Sequence, residues 1–216
     1  MQKMIIPAML LGLLLSGCNA NIVGQDNQKL LASTTPTYLG IPNPWYLYDD
    51  AFEGGPWLQG LDFYDSTSCS CGAPFSGTPV INFSDTTSPD RGQNCMRFAI
   101  PAQSGTWWCG MIFLQKNGFT ASNGNPGVDI RPGNFTKCVF RARTLQGNRQ
   151  VKFEVLNATN TLTTTITSTW QTYTIPFTVT TAMPAVRQFF SPVFAGSAPT
   201  TVTPIDLFID DLRFEQ

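Results

Sequence analysis

The chain has 216 residues, with 13 Lys and Arg against 14 Asp and Glu, no histidine, 42% apolar residues and only 12% charged ones. A formal charge of −1 argues against a nucleic-acid binder, which needs a clustered basic surface to displace counterions. The missing imidazole excludes Ser-His and Cys-His catalysis and any His-ligated metal, while the Ser, Thr, Asn and Gly that supply most of the polarity suit strands and loops.

Met1-Gln2-Lys3 precedes an apolar run from Met4 to Leu15 and the small-residue exit Ser16-Gly17-Cys18. A basic start, an apolar stretch too short to span a bilayer and a small-residue exit form the pattern of an export signal. Leu15-Ser16-Gly17-Cys18 resembles a bacterial lipobox, which implies cleavage before Cys18 and lipid on its thiol. Asn19, rather than Asp, after that cysteine implies anchorage in the outer membrane. The stretch up to Pro44 is polar, with Ser33-Thr34-Thr35-Pro36 and Pro42-Asn43-Pro44 and no strand or helix period. The predicted division is therefore 1–17 signal peptide, 18–44 lipidated cysteine and flexible tether, and 45–216 folded domain.

That domain reads as all-β, an antiparallel sandwich of short strands separated by Gly, Pro, Asn and Ser clusters. Predicted strands lie at Trp45–Tyr48, Val80–Phe83, Asn94–Ile100, Trp107–Gln115 and Lys137–Arg143, then Gln150–Leu156, Thr161–Ile166, Thr172–Phe177, Arg187–Phe194 and Pro204–Phe214. Met96, Phe98 and Ile100 share one face, as do Val151, Phe153 and Val155, and as do Cys138, Phe140 and Ala142. Arg97, Lys152, Glu154, Arg141 and Arg143 then point outward. In the last strand the apolar positions are odd up to Ile209 and even from Leu212, a slip of one residue that predicts a β-bulge at Asp210-Asp211.

The ending Ile209-Asp210-Asp211-Leu212-Arg213-Phe214 resembles the closing strand of jelly-roll carbohydrate-binding modules of the galactose-binding-like superfamily. Thr169-Trp170-Gln171-Thr172-Tyr173-Thr174-Ile175-Pro176-Phe177, Tyr46-Leu47-Tyr48-Asp49-Asp50-Ala51 and Thr106-Trp107-Trp108-Cys109-Gly110-Met111 resemble three further strands of it, in matching order. The cysteines and the Gly/Ser/Cys-rich stretch Ser66–Ser76 depart from the pattern. The resemblance implies a jelly roll, a non-catalytic glycan-binding function and Trp170 in the core. It also implies a structural Ca²⁺ between first and last strands, for which Asp49, Asp50, Glu53 and Asp210, with Asp211, supply hard oxygen atoms. The alternative for these acids is that they cap loops or pair with Arg213.

Saccharides present apolar C–H faces and dense hydroxyls, so aromatic rings and planar hydrogen-bonding groups recognise them. Trp107 and Trp108 are neighbours on one strand, so only one of them faces the core. The candidate glycan-binding residues are Trp107 or Trp108, Trp57 from a glycine-flanked loop, and the outward Arg141 and Arg143. The envelope membrane, through Cys18, and a polysaccharide are the expected partners; nucleic acid is not. Cys69, Cys71, Cys95, Cys109 and Cys138 allow at most two disulfides, with no connectivity readable. Three glutamates, Glu53, Glu154 and Glu215, give no carboxylate pair of the kind glycoside hydrolysis needs. A structural or adhesive envelope lipoprotein with protein partners is the second reading, and a glycan-degrading enzyme the third.

Overall fold

A computed structural model describes residues 42–52, 68–71, 79–114, 127–180 and 185–216. The signal sequence, Cys18 and the tether up to residue 41 lie outside the described residues, as do Glu53 and Trp57. The strands are β1 Trp45–Asp49, β2 Ala51–Phe52, β3 Ser68–Cys71, β4 Val80–Asp85, β5 Cys95–Ile100, β6 Gln103–Gly110 and β7 Phe113–Leu114. They continue with β8 Lys137–Thr144, β9 Arg149–Val155, β10 Asn160–Ile166, β11 Gln171–Pro176, β12 Gln188–Val202 and β13 Ile205–Glu215. One 3₁₀ turn, Arg131–Gly133, is the helical element among the described residues.

All pairings are antiparallel and make two sheets. The first runs β11-β8-β13-β1-β2, with β5 beside the front half of β13 and β4 outside β5. The second runs β10-β9-β12-β6-β3, with β7 continuing the β6 edge of β12. The expected antiparallel sandwich is thus what the chain forms.

Alternation decides what fills the space between the sheets. Phe140 of the first sheet meets Phe153 and Phe190 of the second at ring distances of 4.6 and 5.0 Å, and all three are fully buried. Trp45 packs on Phe135, Phe189 and Phe214 at 5.7–5.8 Å and closes the other end. Each such side chain contributes about 1.5–3 kcal/mol by leaving water.

The predicted bulge is present. Asp210 pairs with Arg141 but Arg213 with Val139, so β13 carries one extra residue, and Asp211 sits at φ 53°. Strand β3 lies where the sequence reads as an insertion; its Ser-Cys-Ser-Cys has no apolar alternation to announce it. Strand β12 continues eight residues beyond its expected end at Phe194, through Gly196 and Pro199, which sequence rules treat as breakers. Cys95 and Cys138 are buried free thiols, whereas Cys109 is disulfide-bonded and stands in register with Cys69.

Candidate functional site

The outward face of the first sheet is built from one cross-strand row. Phe208 of β13 stands in register with Arg143 of β8 on one side and Arg97 of β5 on the other, and Arg97 with Asn82 of β4. Trp170, immediately before β11, completes the row beside Arg143. The Arg143 guanidinium lies over the Phe208 ring at 5.2 Å and the Trp170 ring at 5.8 Å, and Arg97 lies over Phe208 at 6.0 Å. Phe208 is 2% exposed beneath the arginines, whereas Trp170 and Arg143 are half-buried and Asn82 is exposed. Ring, guanidinium, ring, guanidinium and amide therefore follow one another across four strands and the lead-in to a fifth.

Most of the remaining charge on this face is paired. Arg97 donates through Nε to Asp206 at 2.7 Å, with Nη2 at 2.6 Å, and its Nη1 lies 3.7 Å from Asp85. Gln146 donates to the other Asp206 oxygen at 2.6 Å and accepts the Asp206 N–H at 2.8 Å. Arg141 holds Asp90 through Nε at 2.5 Å and Nη2 at 2.9 Å, and donates to Thr172 at 3.1 Å. Arg213 joins Asp211 and Glu215, both at 2.5 Å.

Asp49, Asp50 and Asp210 surround the bulge, and Asp50 and Asp210 anchor a loop. Asp210, fully buried, accepts the N–H groups of Asp90 and Arg91 at 3.1 Å each and of Asp211 at 2.8 Å. Burial raises its pKa above the usual carboxylate range although those three donors oppose the shift. Asp50 accepts the N–H groups of Gln93 and Asn94 at 2.6 and 2.8 Å. Gly92, at φ +59°, makes this closeness possible, because a Cβ there would fall 1.9 Å from the Asp50 carboxylate. Asp49 is raised by burial and by the nearby Asp211 and Asp50 charges.

Of the four acids expected to hold Ca²⁺, Glu53 lies outside the described residues, and the arginines beside the other three oppose a cation. Both Asp210 oxygens and one Asp50 oxygen accept N–H groups, and the Arg91 and Arg213 guanidinium groups stand 3.3 and 2.5 Å from Asp211. No group of three Asp, Glu or Cys among the described residues is placed to hold a metal ion. Asp50 and Asp210 cap a loop and Asp211 pairs with Arg213, the arrangement that the alternative reading describes. The anchored loop then delivers Asp90 to Arg141.

The tryptophan pair divides as alternation requires, with Trp107 4% exposed in the core and Trp108 40% exposed. Trp108, however, belongs to β6 and the second sheet, and Arg141 and Arg143 to β8 and the first. The expected site of Trp107 or Trp108 with these arginines is corrected on this point. Trp107 is core, and Trp108 looks out from the opposite side of the sandwich. Alternation separates inside from outside but does not say which sheet a strand joins. Around Trp108 the register places Ala195 and Ser70, small residues, and the ion pair Lys152–Glu154 lies further along that sheet at 2.7 Å. Trp170, assigned to the core from the sequence, is half-exposed and takes the place expected of Trp108.

At one end of the sandwich a separate open cavity of about 640 Å³ is lined by Asn157, Thr159, Asn160, Phe177 and Thr178 among others. Asn157 accepts the N–H groups of Arg187 and Gln188 there and donates to the Ala185 carbonyl.

No protein-family model and no curated protein sequence matches the chain. Among solved structures, it is similar to the family 11 carbohydrate-binding module from Clostridium thermocellum in complex with a β-1,3-1,4-mixed-linked tetrasaccharide. That match has 12% identity and a TM-score of 0.38, over 72% of this chain and 93% of the other. It is similar also to the family 30 module of a cellulosomal cellulase of Clostridium thermocellum, with 14% identity, 67% and 85% coverage and a TM-score of 0.39. The glycoside hydrolase domain structure of Endo-D from Streptococcus pneumoniae R6 matches over 66% of this chain but 21% of its own, with 11% identity and a TM-score of 0.42. These are similarities of chain path; the sandwich itself rests on the strand pairing.

Proposed function

We propose that the protein binds glycan without cleaving it, on the outward face of the first sheet, with a sugar ring stacked on Trp170. Arg143 and the exposed Asn82 amide supply planar donors for the hydroxyls. The observation that carries this reading is the row Trp170–Arg143–Phe208–Arg97–Asn82, which sets a half-exposed indole and hydrogen-bonding groups in one line on a rigid sheet. The carboxylates described on this face support binding rather than hydrolysis. Asp85, Asp90, Asp206, Asp210, Asp211 and Glu215 are each engaged by an N–H or a guanidinium, so none of these six stands free as the acid or base that glycoside hydrolysis needs. The N-terminal signal supports display at the cell envelope, at the outer membrane, through lipid on Cys18.

Native gels cast with soluble polysaccharides test the reading. The wild type is retarded, and Trp170→Ala loses about ten- to a hundredfold in affinity, as expected for one stacking indole worth about 1–3 kcal/mol. Equal mobility of wild type and Trp170→Ala on every polymer that retards the wild type would overturn it.

A further inference from the structure

We infer that the glycan taken by this face is acidic, its carboxylate or sulfate received by Arg143. This rests on the reading that the face binds glycan, and adds the class of sugar. Arg91, Arg97, Arg141 and Arg213 on the same face each have a carboxylate within 4 Å. Arg143 has none: among the described residues its side chain makes no ion pair and donates no hydrogen bond, and its Nε is buried without a partner.

Its contacts are two rings. Phe208 and Trp170 hold the guanidinium at 5.2 and 5.8 Å, yet offer no lone pair to its five N–H groups. A half-buried fork of donors with unspent charge is matched best by a planar carboxylate or a sulfate oxygen pair, which it can bind in bidentate fashion. On the neighbouring strand, Asp206 and Asp210 flank Phe208, but Asp206 is held by Arg97 and Gln146 and Asp210 by backbone N–H groups. The indole that stacks the ring and the guanidinium that meets the acid are adjacent, which suits a single sugar carrying both features. The chain's formal charge of −1 supplies no general attraction for polyanions, so a preference for acid must come from a local site.

The test compares polymers that differ in charge alone. Polygalacturonate is paired with its fully methyl-esterified form, dextran sulfate with dextran, and inorganic polyphosphate serves as a polyanion without sugar. Wild-type protein is expected to favour an acidic member of a pair by about tenfold or more, the scale of one charge-assisted interaction, and to ignore polyphosphate. Which pair shows the preference identifies carboxylate or sulfate. Arg143→Gln is expected to weaken binding to both members and bring the acid-to-neutral ratio to about one. Arg143→Lys, which keeps the charge and loses the fork, falls between. Lys152→Gln on the opposite face leaves the ratio unchanged. Thermal melts identify any variant that fails to fold, and the wild-type ratio decides the matter even then. Neutral polymers bound as well as acidic ones, or polyphosphate bound as well as either, overturn the inference while glycan binding stands or falls separately. No retention on any polysaccharide removes the underlying reading as well.

Discussion

The two outward faces of this sandwich are made by the same alternation and differ in almost everything else. The first sheet carries arginines matched to aspartates, with one guanidinium left between two rings. The second carries Thr161, Thr163 and Thr165 on β10, a single Lys152–Glu154 pair on β9 and the exposed Trp108 beside small residues. An exposed tryptophan alone is an ordinary event on a protein surface. A tryptophan aligned with directional donors is what the proposed binding role requires, and the difference lies in what its neighbours hold in place.

The largest effect should come from what both faces share. Phe140→Ala removes the ring that joins the sheets and should cost about 3–5 kcal/mol, read as a lowered denaturant midpoint, with glycan retention lost as the protein unfolds. An unchanged midpoint would mean that the two layers are held together elsewhere. The loss in affinity expected for Trp170→Ala comes next, and it should leave the denaturant midpoint nearly unmoved.

Asp210→Ala separates the loop anchors from the binding row. It strands the N–H groups of Asp90 and Arg91, and should lower stability by about 1–3 kcal/mol and release Asp90 from Arg141. If calcium raised the melting temperature of the wild type and not of this variant, the acids would be ligands after all. The expected result is the same melting temperature in chelator and in calcium.

Acid should weaken the ion pairs by a sign that can be stated. Hydrogen bonds from Arg131 hold Asp129 below its ordinary 3.8. Burial raises Glu215, but Arg213 and Lys137 prevail and hold it below its ordinary 4.5. A depressed carboxylate contributes stability that is complete above its unfolded pKa and is lost as pH falls through the folded one. The melting temperature should therefore be level down to about pH 4.5 and fall below it, with Asp49 and Asp210, which are raised, opposing part of the drop. A melting temperature that rises on acidification from pH 4.5 to 3 would reverse the assignment. The smallest effect is expected for Lys152→Gln, within about 0.5 kcal/mol, because an exposed pair contributes little.

Within the strands, inside and outside were legible from alternation. The alternation of Cys138, Phe140 and Ala142 against Arg141 and Arg143 places them as found, and the phase slip between Ile209 and Leu212 locates the bulge that brings Asp210 and Asp211 together. Pairing partners were not legible. Nothing in Trp107-Trp108 or in Arg141 and Arg143 says that their strands lie in different sheets, since hydrogen-bonded neighbours are chosen by the whole topology. Trp170 was misplaced because it stands one residue before β11, where alternation has not begun to act and an edge position leaves the ring half open. The calcium expectation came from the family resemblance and the hard oxygen atoms of these acids, while the N–H groups of residues 90–94 that Asp50 and Asp210 hold come from a distant loop that the sequence does not connect to them.

Indole N–H resonances offer the most direct measurement. Five tryptophans give at most five such signals, assignable by single substitution, and an acidic oligosaccharide can be titrated into labelled protein. The account predicts that the Trp170 signal moves with saturation while that of Trp108 stays in place. A shift of Trp108 with Trp170 unmoved would contradict it and put the sugar on the other side of the sandwich.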